Sequence, residues 1–160
     1  VKKEKELENM NPKINVVGFL WILIIMIPNI VFACTNKDGF ISQYQNKLAD
    51  HLEQIGRFGC FFCMIVMFPQ FQTRWIPSEG AMLYGYLGSI LVVLYCLGWI
   101  ILWKETSVRK SLLLSILPSI LFLSCGILQG YRLLVIFSLL FAPSHIWISY
   151  QNANIYEKVR

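Results

Sequence analysis

The stretch GRFGCFFCMIV, residues 56–66, sets Cys60 and Cys63 three apart inside an apolar run. That spacing serves a dithiol exchange site, where a thiolate attacks a disulfide, or one half of a zinc site. Four-helix thiol–quinone oxidoreductases place such a pair near the end of a span, so a redox role for Cys60 and Cys63 is one reading. No further C-x-x-C or nearby histidine completes a zinc site, no second cysteine pair lies in a loop to receive electrons, and the flanking phenylalanines stabilise no thiolate. The alternative is that the cysteines are small apolar packing residues. His145 is a titratable group inside an apolar run and so a candidate binding residue, but no aspartate or glutamate occurs inside any such run to partner it. Arg57 and Arg132 border apolar runs, where an arginine anchors to headgroups or holds an anionic ligand. Asn29 follows Pro28, whose missing N–H frees the carbonyl of Ile24, a pairing that can line a cavity. The sequence contains no Walker loop, G-x-S-x-G, H-E-x-x-H or magnesium-type acidic pair, and no cofactor or metal is expected.

The elements that must carry these residues are written in the composition. Of 160 residues 56% are hydrophobic and only 14% charged, and mean hydropathy is +0.57. A soluble domain this long needs more polar surface than that. The charges cluster and leave long uncharged stretches, as in an all-α integral membrane protein. The net charge of +5 sits in the gaps between apolar runs rather than along one surface, which argues against a nucleic-acid partner and for a lipid bilayer.

Five spans are expected, over about 14–34, 55–71, 81–103, 111–128 and 133–150, between polar tails at 1–13 and 151–160. The first, with 21 uncharged residues, is longer than a signal-peptide core, so VFAC at 31–34 is read as part of a retained helix. Over about 40–56, Ile41, Tyr44, Leu48, Leu52 and Ile55 recur at helical spacing opposite Gln43, Lys47, Asp50, Gln54 and Arg57. That pattern predicts an amphipathic helix lying along the interface, capped by Asp38 or Ser42. The run after it is short, so four spans are the alternative. Ser111, Ser115 and Ser119 stand four apart and form a small-residue stripe, and Ser138, Ala142 and Ser149 mark a small face on the last run. Both suit close helix packing.

IPNIVFA, EQIGRFGC and SLLLSILPSILFL, taken in this order, resemble a group of small, uncharacterised multi-span membrane proteins of Gram-positive anaerobic bacteria. The likeness runs from Asn11 to Asn152. It implies the same span count and carries over no activity and no residue role.

With five spans, Lys37, Lys47, Arg57, Lys104, Arg109, Lys110, Lys158 and Arg160 share one side. They face Arg74, Arg132, Lys2, Lys3, Lys5 and Lys13, of which three remain if Met10 is the start. The excess places the C-terminus in the cytoplasm and the N-terminus outside a cell membrane. The function expected is non-enzymatic: an accessory protein that associates with other membrane proteins or with itself through the two small faces. The alternatives are the thiol–quinone oxidoreductase and a small-solute carrier working as an oligomer near His145 and Asn29.

Overall fold

The long uncharged runs are largely helical, the conformation in which an apolar segment pairs its backbone groups within itself. The computed structural model describes residues 11–36, 44–73 and 79–159. Within them lie five helices: α1 (Val16–Thr35), α2 (Lys47–Ile65), α3 (Glu79–Ile101), α4 (Val108–Leu128) and α5 (Arg132–Val159). Asn15 caps α1 by accepting from Gly18 N, Asn46 caps α2 by accepting from Leu48 N and Ala49 N, and Ser107 caps α4 by accepting from Lys110 N. Pro28, Pro118 and Pro143 all remain inside helices.

The amphipathic helix expected over about 40–56 continues into the apolar run after it, but that run, expected as a span over about 55–71, is helical only as far as Ile65. One helix runs from Lys47 to Ile65, and residues 66–71 leave it. Pro69 pushes Phe68 toward extended backbone. Val66–Met67 (β2) pairs antiparallel with Lys13–Ile14 (β1), in the register Lys13 opposite Met67 and Ile14 opposite Val66. The cap positions Asp38 and Ser42, residues 40–43 of the expected helix, Lys37 and Arg74 lie outside the described residues.

The helices close a ring in the order α1, α3, α4, α5, α2, with α4–α5 and α2–α5 the most extensive seams. α1 and α3 run parallel. Asn15 Nδ2 donates to Tyr84 Oη at 2.8 Å near one end and Asn29 Nδ2 to Tyr95 Oη at 2.7 Å further along. Phe32 then meets Trp99 near the other end, with ring centres 4.9 Å apart. α2 runs antiparallel to α5, since Tyr44, Glu53 and Cys60 meet Asn152, His145 and Ser138 in that order. The interior is filled by Trp21, Met64, Leu121, Phe122, Tyr131 and Leu134.

Four of the five helices, α1, α3, α4 and α5, are long and apolar enough to cross a membrane. α2, with Lys47, Asp50, Glu53 and Arg57, is not among them. Its outward side is largely apolar: Leu48, Leu52, Ile55, Phe58 and Phe62 are exposed, with Lys47, His51 and Gln54 exposed beside them, while Glu53, Gly56, Cys60 and Cys63 are buried.

Candidate functional site

The inward face of α2 brings together residues that sequence spacing left apart. Glu53 and Arg57 stand one helical turn apart, and because helical side chains lean toward the N-terminus, Arg57 reaches back to Glu53. The Arg57 Nη2 donates to Glu53 Oε1. The same oxygen lies 2.7 Å from His145 Nδ1 on α5. A carboxylate only accepts, so the geometry assigns the Nδ1 proton to His145. Phe141 stacks on the imidazole with ring centres 4.6 Å apart and holds its plane. Glu53 is 6% exposed, and side-chain exposure rises to 21% at His145 and 34% at Arg57. The carboxylate is therefore buried between two donors, one of them a full positive charge.

His145 has the acidic partner that the sequence reading denied it. In the sequence Glu53 falls within the amphipathic segment at 40–56, outside every apolar run. Its signal was present: an i, i+4 Glu–Arg pair on the same side of a helix as Gly56 and Cys60, with the large apolar residues on the other side.

Asn29 lies at the same depth. It stands six residues before the end of α1, Tyr95 six before the end of α3, and Glu53 six after the start of α2. At 1.5 Å per residue each is about 9 Å from the same end of the bundle. Asn29 Nδ2 donates to Ile25 O and to Tyr95 Oη, both at 2.7 Å. His145, Arg57 and Asn29 thus belong to one polar layer. Replacing Asn29 with leucine is expected to cost about 0.6–1.7 kcal/mol, the range for hydrogen bonds between apolar helices. Reversible detergent-induced unfolding measures it.

Arg132 is not part of the layer. At the opposite end its Nε donates to Thr73 Oγ1 at 2.6 Å, and Thr73 N donates to Gly130 O at 2.8 Å. Gly130 has φ 61°, the left-handed conformation that the tight α4–α5 turn requires. These bonds tie the segment after α2 to that turn.

Cys60 and Cys63 are free thiols, 0% and 1% exposed. Cys60 Sγ lies 3.8 Å from Ser138 Oγ, and Cys60 continues the row begun by Gly56, whose Hα side abuts the backbone of Phe141. Small residues here let α2 and α5 approach closely. Cys60, Cys63 and Cys125 are expected to resist maleimide in mild detergent and to react only after SDS denaturation, whereas exposed Cys34 reacts at once. Mass spectrometry of labelled peptides checks this.

The serines sit where helices meet. Ser115, Ser119 and Ser138 are buried, while Ser111, Ala142 and Ser149 are half-buried. Their hydroxyls bond backward within the helix, Ser119 to Ser115 O at 2.7 Å and Ser138 to Leu134 O at 2.6 Å. Two further residues were not singled out from sequence. Lys110 is 6% exposed, with Nζ 3.1 Å from Trp103 O and 4.5 Å from the ring centre of Phe32. A cation on a carbonyl of the turn just past α3 lies near that helix's C-terminal end and holds the α3–α4 hairpin. Tyr131, fully buried, donates from Oη to Val66 O at 3.2 Å. At the mouth of the layered end, Trp147 Nε1 donates to Tyr44 Oη at 3.1 Å, and that bond, with a second from Asn46, holds the Tyr44 hydroxyl below its ordinary pKa. Among the described residues no group of three or more His, Cys, Asp or Glu side chains is placed to hold a metal.

The chain matches no protein-family model, no curated protein and no solved structure.

Proposed function

We propose that this chain is a non-enzymatic accessory protein of a cell membrane, a bundle of five spans that works by associating with other membrane proteins. One observation carries the reading. The polar side chains of the layer bond one another or their own helix backbone, while every helix turns exposed large apolar residues outward. Such a molecule presents a surface to lipid and to neighbouring helices, with its polar groups committed to holding its own shape.

Parallel packing of α1 and α3 supports the fifth span. Two parallel spans in one chain require a return crossing between them, and α2 is the helix in between. Its 19 residues reach about 28 Å, close to a hydrocarbon core of about 30 Å. Its outward stripe of Leu48, Leu52, Ile55, Phe58 and Phe62 suits lipid, and Glu53 is buried against the bundle with Arg57 bonded to it, while Lys47 stays exposed at the helix start. Lys47, Lys104, Arg109, Lys110 and Lys158 gather at one end, against Lys13 and Arg132 at the other. The richer end is the cytoplasmic one in this proposal, with the C-terminus there and the N-terminus outside. Since Ser115, Ser119 and Ser138 are enclosed within the bundle, the surface left for association is the outward apolar one.

The test is photo-crosslinking from outward positions such as Ile90 or Leu139 in native membranes, followed by identification of what is captured. A specific membrane-protein partner is the expected result. A solitary monomer carrying bound quinone, with Cys60 and Cys63 turning over between thiol and disulfide, would replace this reading with the oxidoreductase.

A further inference from the structure

We infer that α2 is a conditional span, held across the bundle by His145 of α5, and that losing this contact lets the following helices take the opposite orientation. The inference rests on the five-span reading. α2 is the one helix of the five not apolar enough to cross by itself. The contacts that hold it come from a helix made long after it. His145 and Glu53 are 92 residues apart in sequence, Tyr44 and Asn152, whose backbone N–H and Oδ1 meet at 2.9 Å, are 108 apart, and Trp147 and Tyr44 are 103 apart. The Gly56–Phe141 approach joins the same two helices.

During synthesis α2 therefore precedes the partner that satisfies it. With an apolar stripe on one side and Asp50, Glu53 and Arg57 on others, it suits the interface as well as the interior until α5 arrives. The two positions have opposite consequences. If α2 crosses, α3 begins on the side where α1 began, which is the arrangement observed. If α2 stays at the interface, α3, α4 and α5 are inverted and the end of the α3–α4 hairpin, with Lys104, Arg109 and Lys110, lies on the other side. Those charges oppose the inverted form, and the Glu53–His145 bond rewards the observed one. Two weak biases in one direction give a single topology, and removing one leaves a mixture.

The measurement is sidedness after cell-free synthesis into membrane vesicles, which reads every chain made, including those a cell would degrade. Gln45→Cys and Thr106→Cys are introduced separately, with the five native cysteines replaced by alanine. A membrane-impermeant maleimide then reports each position. In five spans residues 45 and 106 share a side, and in the inverted form they do not. His145→Leu is expected to raise the inverted fraction roughly tenfold. His145→Gln, which keeps a neutral donor, should raise it less. Adding Glu53→Leu and Arg57→Leu to His145→Leu should restore one topology, because the helix then inserts unaided. An unchanged fraction in His145→Leu overturns the inference and leaves the five spans standing. Opposite sides for 45 and 106 in the parent chain overturn the five-span reading itself, and the inference with it.

Discussion

Arg57→Leu is expected to destabilise the protein by about 3–5 kcal/mol, the cost of leaving a buried charge without its counter-charge. The loss comes from Glu53, not from the arginine's packing. Glu53 is 6% exposed and its carboxylate would keep only the His145 hydrogen bond of 2.7 Å, a donor without a full charge when the imidazole is neutral. In the proposed bilayer setting there is no water at that depth to take over. The signature that separates this cause from lost packing is rescue. Glu53→Gln on the Arg57→Leu background removes the stranded charge and should recover most of the loss, since a neutral amide can still accept from His145. Equilibrium unfolding with SDS in mixed micelles, followed by tryptophan fluorescence, measures both. No rescue by Glu53→Gln would mean that Arg57 acts through its own contacts and that the pair is incidental.

Gly56→Ala is the second large effect, at about 2–3 kcal/mol. A Cβ there would sit 2.7 Å from both the Cα and the backbone N of Phe141. Those are backbone atoms that cannot rotate away, so α2 and α5 must separate. The separation also lengthens the Glu53–His145 and Cys60–Ser138 contacts, which lie one turn to either side. Gly85→Ala on α3 is the matched control, because nothing lies within 4 Å of a Cβ at that position. It exchanges the same two residue types in a helix without collision. It should be neutral or stabilising by up to about 1 kcal/mol, as removing a helical glycine usually is. Equal losses at 56 and 85 would show that the tight seam contributes nothing.

Much of the scaffold can be read from uncharged length alone. Hydrophobic runs long enough to bridge hydrocarbon stand out for α1, α3, α4 and α5, because no packing detail is needed to see them. Helix ends were less legible. α5 continues to Val159 through a polar tail, since Glu157 Oε1 accepts from Val108 N at 3.0 Å and Ala153 is buried. Such a contact between distant segments leaves no local trace. The inward face of α2 is not legible in the sequence for a definite reason. An amphipathic pattern states that two faces differ and not which of them meets the interior. In a water-soluble protein the apolar side turns inward, and at a bilayer surface it turns to lipid. Here Leu48, Ile55 and Phe58 turn outward while Glu53 is buried, an inversion that depends on the Arg57 charge one turn along and on a hydrogen-bond partner, His145, in another helix. The polar layer was therefore half visible. His145, Arg57 and Asn29 could be named one by one from their placement among apolar residues. Glu53, which joins two of them, is hidden in the sequence because it lies outside every apolar run. Cys60 and Cys63 show the converse. Their spacing invites a redox reading, but spacing is silent about burial, and both belong to the seam that Gly56 opens.

Whether α2 crosses the hydrocarbon with the Glu53–Arg57 pair turned to the bundle is tested most directly by the depth of position 58. Phe58 is 65% exposed on the outward face and stands 11 residues into a 19-residue helix, close to mid-thickness if α2 spans. A bimane label on Phe58→Cys, in a chain whose five native cysteines are alanine, is reconstituted with lipids carrying bromine at graded depths along the acyl chain. The five-span account requires quenching to be strongest with the deepest bromines and iodide in the buffer to have no effect. Strongest quenching near the headgroups, together with quenching by iodide, would place α2 at the surface and contradict the account.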